Sequence, residues 1–181
     1  MTRLHHAIDA AAVALAEAGV GSPRADAELL AAHAAATERG RLAFADIAPD
    51  FCERYDALVA QRAKRVPLQH LTGTAAFGPV TVEVGPGVFI PRPETESLLE
   101  WAVAQRLSRR PVIVDLCTGS GALAVALSKH WPDARVIGVD DSDDALAYAR
   151  RNTAGTPVEL IQADVTQATR SIPPAISTML V

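Results

Sequence analysis

Apolar residues recur at helical spacing through the first third of the chain. Leu4, Ile8, Ala11, Ala12 and Leu15 mark one face over residues 3–19. Gly21-Ser22-Pro23 interrupts that pattern, with Ser22 suited to a helix N-cap and Pro23 to the first helical position. A second apolar helix is predicted over 25–36, ending near Arg39-Gly40. A third covers 49–65, with Phe51, Tyr55, Leu58 and Val59 on its inner face, and Pro67 stops it. Residues 1 to about 66 therefore read as a small helical bundle.

The period changes after Pro67-Leu68-Gln69-His70-Leu71-Thr72-Gly73. Residues 79–84 alternate apolar and polar, as a half-buried strand does, and Gly85-Pro86-Gly87 reads as a turn. Val88-Phe89-Ile90 then reads as the return strand of a hairpin centred on Gly85. A helix is predicted over 95–107, with Leu98, Leu99, Ala102 and Val103 inward. Strand 111–116, helix 120–130, strand 135–140, helix 142–152 and strand 157–161 follow. That alternation predicts an α/β fold built of parallel βαβ units, with helices on both faces of the sheet. The expected domains are a helical bundle over 1–73, a β-hairpin linker over 74–92, and the first part of a doubly wound sheet over 93–181.

Composition narrows the class. At 49% apolar the chain is globular rather than disordered, and a net charge of -4 gives no case for bulk nucleic-acid binding. Cys52 and Cys117 are the only cysteines and lie far apart, which predicts reduced thiols and a cytoplasmic setting. No run is long and apolar enough to suggest a membrane span. His5, His6, His33, His70 and His130 show no metal-ligand spacing, so no metal is expected.

The chemistry concentrates after residue 111. Val112-Ile113-Val114-Asp115-Leu116-Cys117-Thr118-Gly119-Ser120-Gly121 is an apolar strand that ends in an acid and opens through small residues onto a helix. Such a loop brings backbone N–H groups and a helix N-terminus close to a ligand. Asp140 ends the next strand, where a carboxylate is placed to accept from a ribose diol. Asp115 would repel a pyrophosphate but suits an ammonium, which favours S-adenosylmethionine over NAD. After the third strand, Asp164 is placed to accept from an adenine amine and Val165 to pack on its ring; the alternative for Asp164 is an acid capping its own turn. Pro91-Arg92-Pro93-Glu94-Thr95-Glu96 reads either as a rigid helix start or as a wall of the cofactor or substrate pocket.

Taken together these segments resemble the bacterial release-factor glutamine N5-methyltransferases, the HemK/PrmC family. Residues 67–73 look like its linker motif, Phe89-Ile90-Pro91-Arg92-Pro93-Glu94-Thr95-Glu96 like its hallmark segment, and 115–121 with Val139-Asp140 like its cofactor motifs. The resemblance implies a helical substrate-recognition domain ahead of a Rossmann-like class I methyltransferase domain. It implies methyl transfer from S-adenosylmethionine to the glutamine side-chain amide in the Gly-Gly-Gln loop of peptide chain release factors, by a full-length monomer. Cys117, Thr118, Gly119, Ser120 and Gly121 would line the methionine portion, Asp140 would hold the ribose and Val165 would flank the adenine. Asp115, Asp164, Pro91, Arg92 and Pro93 are further candidates.

Two departures carry expectations. Cys117 stands where the family's loop begins with glycine, and a backbone in the left-handed region would strain it. The family's Asn-Pro-Pro-Tyr signature is absent; Pro173-Pro174 lacks both the asparagine and the aromatic, so no catalytic residue is assigned. The chain therefore reads as a truncated, impaired enzyme of marginal stability, its sheet reaching only three parallel strands. The alternatives are another class I methyltransferase acting on a protein amide or amine or on nucleic-acid adenine, and a non-catalytic module that binds a translation factor.

Overall fold

The computed structural model describes residues 3–166 and the backbone of 178–180; the expectation about Pro173-Pro174 lies outside these. Contacts divide the chain into two compact units, Met1–Thr72 and Gly73–Val181.

The first unit holds α1 (Arg3–Glu17), α2 (Pro23–Ala34), a 3₁₀ turn (Arg39–Phe44), α3 (Phe51–Ala63) and a single-turn α4 (Leu68–Thr72). Its core is Leu15 and Leu30 with the stacked rings of Phe51 and Tyr55, 5.4 Å apart. The Tyr55 hydroxyl donates to the Ala27 carbonyl at 3.0 Å, so the most buried polar tip of α3 is satisfied on α2. Arg62 pairs with the buried Asp26 at 2.7 Å and also donates to the Val66 carbonyl. Ser22 and Pro23 occupy the cap and first helical positions, but the Ser22 hydroxyl makes no capping bond.

In the second unit β1 (Thr74–Phe77) and β2 (Val80–Glu83) form an antiparallel hairpin. There follow α5 (Pro93–Val103), β3 (Val112–Leu116), α6 (Ala122–His130), β4 (Arg135–Asp140), α7 (Asp143–Asn152), β5 (Glu159–Gln162) and β6 (Thr178–Leu180). The hairpin is not the one read from the pattern. β2 pairs backwards with β1 through a Gly78-Pro79 turn, Phe77 opposite Val80, and 88–90 is not a strand. Gly78 supplies the positive φ the tight turn needs. Residues 85–87 are committed elsewhere: a Cβ on Gly85 would sit 2.2 Å from the Tyr148 hydroxyl, and one on Gly87 3.0 Å from Asp144, so this backbone lies directly on α7.

The main sheet is parallel, in the order β5-β4-β3-β6. In the order of its own strands that is 3-2-1-4, the beginning of a Rossmann-type sheet. A fourth strand, β6, therefore joins the three expected, with Val112 opposite Thr178. Because β3, β4 and β5 progress in one direction, right-handed crossovers put α6 and α7 on the same face rather than on opposite ones. Strand side chains alternate: Ile113 and Val136 face that helical layer, Val114, Ile137 and Val139 the other side. α6 is buried from Ala122 to Ser128 because it lies between the sheet, α5 and the hairpin, whose Phe77 and Val82 complete the layer.

Candidate cofactor site

The loop between β3 and α6 is shaped by alternating left-handed residues: Cys117 at φ 59°, Gly119 at 56° and Gly121 at 80°. Cysteine is thus held where L-residues are strained, at a cost of about 1–2 kcal/mol. Three anchors hold the loop. The Thr118 amide donates to the Val139 carbonyl at 2.9 Å, the Gly121 amide to the Thr118 carbonyl at 2.8 Å, and the Gly119 amide to Asp140 Oδ2 at 2.8 Å. Thr118 lies so close over β4 that a Cβ on Gly138 would sit 3.0 Å from its Oγ1.

Asp115 is buried, with 4% of its surface exposed. Its Oδ2 accepts from the Thr118 hydroxyl at 2.6 Å and from the Ala124 amide at 3.1 Å, so it closes the loop and satisfies an N-terminal amide of α6. Burial pushes its carboxyl up to about 6; the two hydrogen bonds pull it down, and the Asp140 charge adds a smaller upward push. Asp140 caps β4 from both oxygens, Oδ1 accepting from the Ser142 amide at 3.0 Å. Burial, then the charges of Asp140, Asp141 and Asp115, push the exposed Cys117 thiol upward, which keeps it protonated at neutral pH.

Asp115 and the loop residues through Ser120 border a cavity of about 460 Å³ at the carboxyl end of β3, beside the point where strand order reverses between β3 and β6. One wall is Asp115 with Cys117, Thr118, Gly119 and Ser120; the facing wall is Phe89, Ile90, Pro91 and Arg92, with Thr95 and Leu98 from α5. Of the twelve cofactor-site candidates named from the sequence, the structure brings seven to this cavity: Pro91, Arg92, Asp115, Cys117, Thr118, Gly119 and Ser120; Phe89, Ile90 and Thr95 of the hallmark segment join them. Gly121 and Pro93 open the helices behind it, and Asp140 reaches it through the Gly119 amide. Asp164 caps its own turn, its Oδ1 accepting from the Thr166 amide and hydroxyl, which hold its carboxyl below the usual range. Val165 packs on the sheet face formed by Val114, Ile137 and Val139. Sequence reasoning missed the contribution of Phe77 from the hairpin, which a hairpin centred on Gly85 had put elsewhere.

Residues 113–175 match the family profile of a methyltransferase domain, and residues 6–73 that of the PrmC N-terminal domain. The parallel order, the glycine loop and the cavity at the end of β3 are accordingly those of a Rossmann-like methyltransferase domain. Two relatives are release factor glutamine methyltransferases. That of Mycolicibacterium smegmatis is 68% identical over 167 residues, 92% of this chain and 59% of that protein. That of Escherichia coli is 42% identical over 152 residues, 79% and 54%. A third, from Streptomyces pristinaespiralis, is a 4-amino-L-phenylalanine/4-methylamino-L-phenylalanine methyltransferase, 39% identical over 173 residues, 91% of this chain and 59% of that protein. The chain belongs to the family of the release factor glutamine methyltransferases and spans a little over half the length of these relatives.

Proposed function

We propose that the cavity at the end of β3 binds S-adenosylmethionine, and that this chain serves the methylation of the glutamine side-chain amide in the Gly-Gly-Gln loop of peptide chain release factors. The single observation that carries the cofactor reading is the buried Asp115 carboxylate on the wall of a cavity also lined by Thr118, Gly119 and Ser120. A pyrophosphate placed there would meet a negative charge in a low-dielectric site, whereas a methionyl ammonium would be attracted and would stabilise the ionised acid. Cys117, Thr118, Gly119, Ser120 and Gly121 line the methionine portion in this reading, with Pro91, Arg92 and Pro93 opposite. Asp140 keeps lone pairs beyond its two amide bonds for the ribose, Val165 flanks the adenine, and Asp164, whose Oδ1 is taken by Thr166, has Oδ2 left to accept from the adenine amine. The helical unit is the substrate-recognition domain, and release factors are met in the cytoplasm.

An amide nitrogen is a poor nucleophile because its lone pair is delocalised. It must be oriented and desolvated against the sulfonium methyl for in-line displacement. The Asn-Pro-Pro-Tyr signature that does this in the family is absent from the sequence, so methyl transfer by this chain alone is proposed to be weak. Calorimetry with S-adenosylhomocysteine and NAD tests the cofactor: binding of NAD alone overturns it. Incubation with labelled S-adenosylmethionine and a release factor tests the rest, and robust labelling of the glutamine refutes the proposed impairment. The S. pristinaespiralis relative supports a second reading, an aromatic amine as acceptor, so a 4-aminophenylalanine is the competing substrate to offer.

A further inference from the structure

The two walls of the cavity come from segments far apart in sequence. The 88–92 strap leaves the hairpin at Glu83, and the glycine loop leaves β3. One side chain bonds to the end of β2, from which the strap departs, and to the glycine loop itself. Asn152, the last residue of α7, accepts the Glu83 amide on Oδ1 at 2.7 Å; its Nδ2 donates to the Glu83 carbonyl at 2.9 Å and to the Ser120 carbonyl at 2.8 Å. All three bonds need the same amide orientation, since a flipped side chain would set oxygen against two carbonyls and NH₂ against an N–H. Toward Glu83 the carboxamide acts as the peptide of a neighbouring strand, on the edge of β2. Toward Ser120 it fixes the peptide that leads into Gly121, whose φ of 80° starts α6. The contacts around it reinforce the link: Arg151 pairs with Glu83 at 2.9 Å and lies 4.2 Å over the Tyr148 ring, on which Gly85 rests.

We propose that Asn152 is a positioning residue that sets the hairpin and the glycine loop as one unit, so that cofactor bound on the loop also tightens the hairpin. The second half of this inference rests on the S-adenosylmethionine reading; the first does not. Residue-resolved amide hydrogen exchange on the full chain tests both, with Asn152→Ala and Asn152→Asp. Without ligand, Asn152→Ala is expected to speed exchange about tenfold at Glu83, whose amide loses its acceptor, and also to speed it at Gly119 and Gly121, whose own bonds to Asp140 and Thr118 remain but whose loop loses the anchor on the Ser120 carbonyl. Asn152→Asp keeps an acceptor for the Glu83 amide but loses the bonds to both carbonyls and sets a carboxylate oxygen against them, so exchange should speed up at the hairpin and the loop together, at least as much as in Asn152→Ala. With saturating S-adenosylhomocysteine, the unmodified chain should gain protection at Glu83 and Val84, outside the cavity lining, and Asn152→Ala should gain it at the loop alone. A uniform rise along α7 in both variants would show a merely structural role and overturn the proposal. So would hairpin protection that survives in Asn152→Ala, or its absence in the unmodified chain once ligand is bound. Should the unmodified chain bind no S-adenosylhomocysteine, the cofactor reading fails, while the ligand-free exchange pattern of the two variants still decides the staple.

Discussion

Replacing Asp115 by asparagine is expected to stabilise the sheet unit at neutral pH while weakening its cofactor site. The carboxyl stands at about 6 in the fold against an ordinary value of 3.8, and burial is the main cause. The folded chain therefore holds this proton more tightly than the unfolded one. Stability from this group is complete below pH 3.8 and falls as pH rises toward 6, by about 1.4 kcal/mol per pH unit, so the total loss is about 3 kcal/mol and stays constant at higher pH. Asparagine is never charged, and its carbonyl oxygen still accepts from the Thr118 hydroxyl and the Ala124 amide. Leaving its NH₂ poorly partnered in a buried site costs about 1–2 kcal/mol. The net is a gain of about 1–2 kcal/mol for the variant at pH 7, changing to a loss at pH 4. Urea unfolding followed by tryptophan fluorescence reads this unit specifically, because both tryptophans, Trp101 and Trp131, lie within it. The quantity to plot is the difference between variant and parent from pH 4 to 8, in which other titrating groups cancel. A flat difference, or a variant that loses more stability at pH 7 than at pH 4, refutes the reasoning. The same linkage makes S-adenosylhomocysteine affinity fall below pH 6 in the parent and not in the variant, since an ammonium partner prefers the ionised acid.

Gly138→Ala forces a methyl against Thr118 and Leu160, each 3.0 Å from where it would sit; we expect a loss of about 1–3 kcal/mol in urea unfolding and weaker S-adenosylhomocysteine binding, and an unchanged midpoint would count against the packing account. Cys117, exposed on the cavity wall with its thiol pushed upward, should react with iodoacetamide more slowly than a free cysteine at pH 7 and faster as pH rises, and S-adenosylhomocysteine should protect it; mass mapping that shows no protection removes the loop from the site. Tyr55→Phe deletes the hydroxyl that satisfies the Ala27 carbonyl and should cost the helical unit about 1–2 kcal/mol by thermal circular dichroism, a loss much below that showing the bond to be dispensable.

How much of this was legible depended on whether the information was local. The βαβ alternation was, because each strand and helix carries its own period: β4 lies on 135–140, and α7 starts after the Ser142 cap that accepts the Ala145 amide. The hairpin was misread for the converse reason. Residues 74–77 and 88–90 are both short apolar stretches beside a glycine turn, and what separates them is tertiary, the close seating of Gly85 and Gly87 on Tyr148 and Asp144. That α6 and α7 share one face was not legible, because face is set by strand order, which no single βαβ unit reveals.

The same division runs through the site. A glycine-rich turn flanked by two acids announces a ligand, but the acids do more than face one: Asp115 closes the loop on Thr118 and Ala124, and Asp140 holds the Gly119 amide. Each carboxylate thus shapes the loop before any ligand arrives, which is why a residue chosen for charge alone understates the cost of changing it. Asn152 lay outside every motif. Its partners are two backbone carbonyls and a backbone amide, groups every residue possesses, so no side-chain pattern could mark them. Backbone-directed side chains of this kind are where a motif-based reading of a binding site is systematically blind, and where hydrogen-bond accounting recovers what spacing does not.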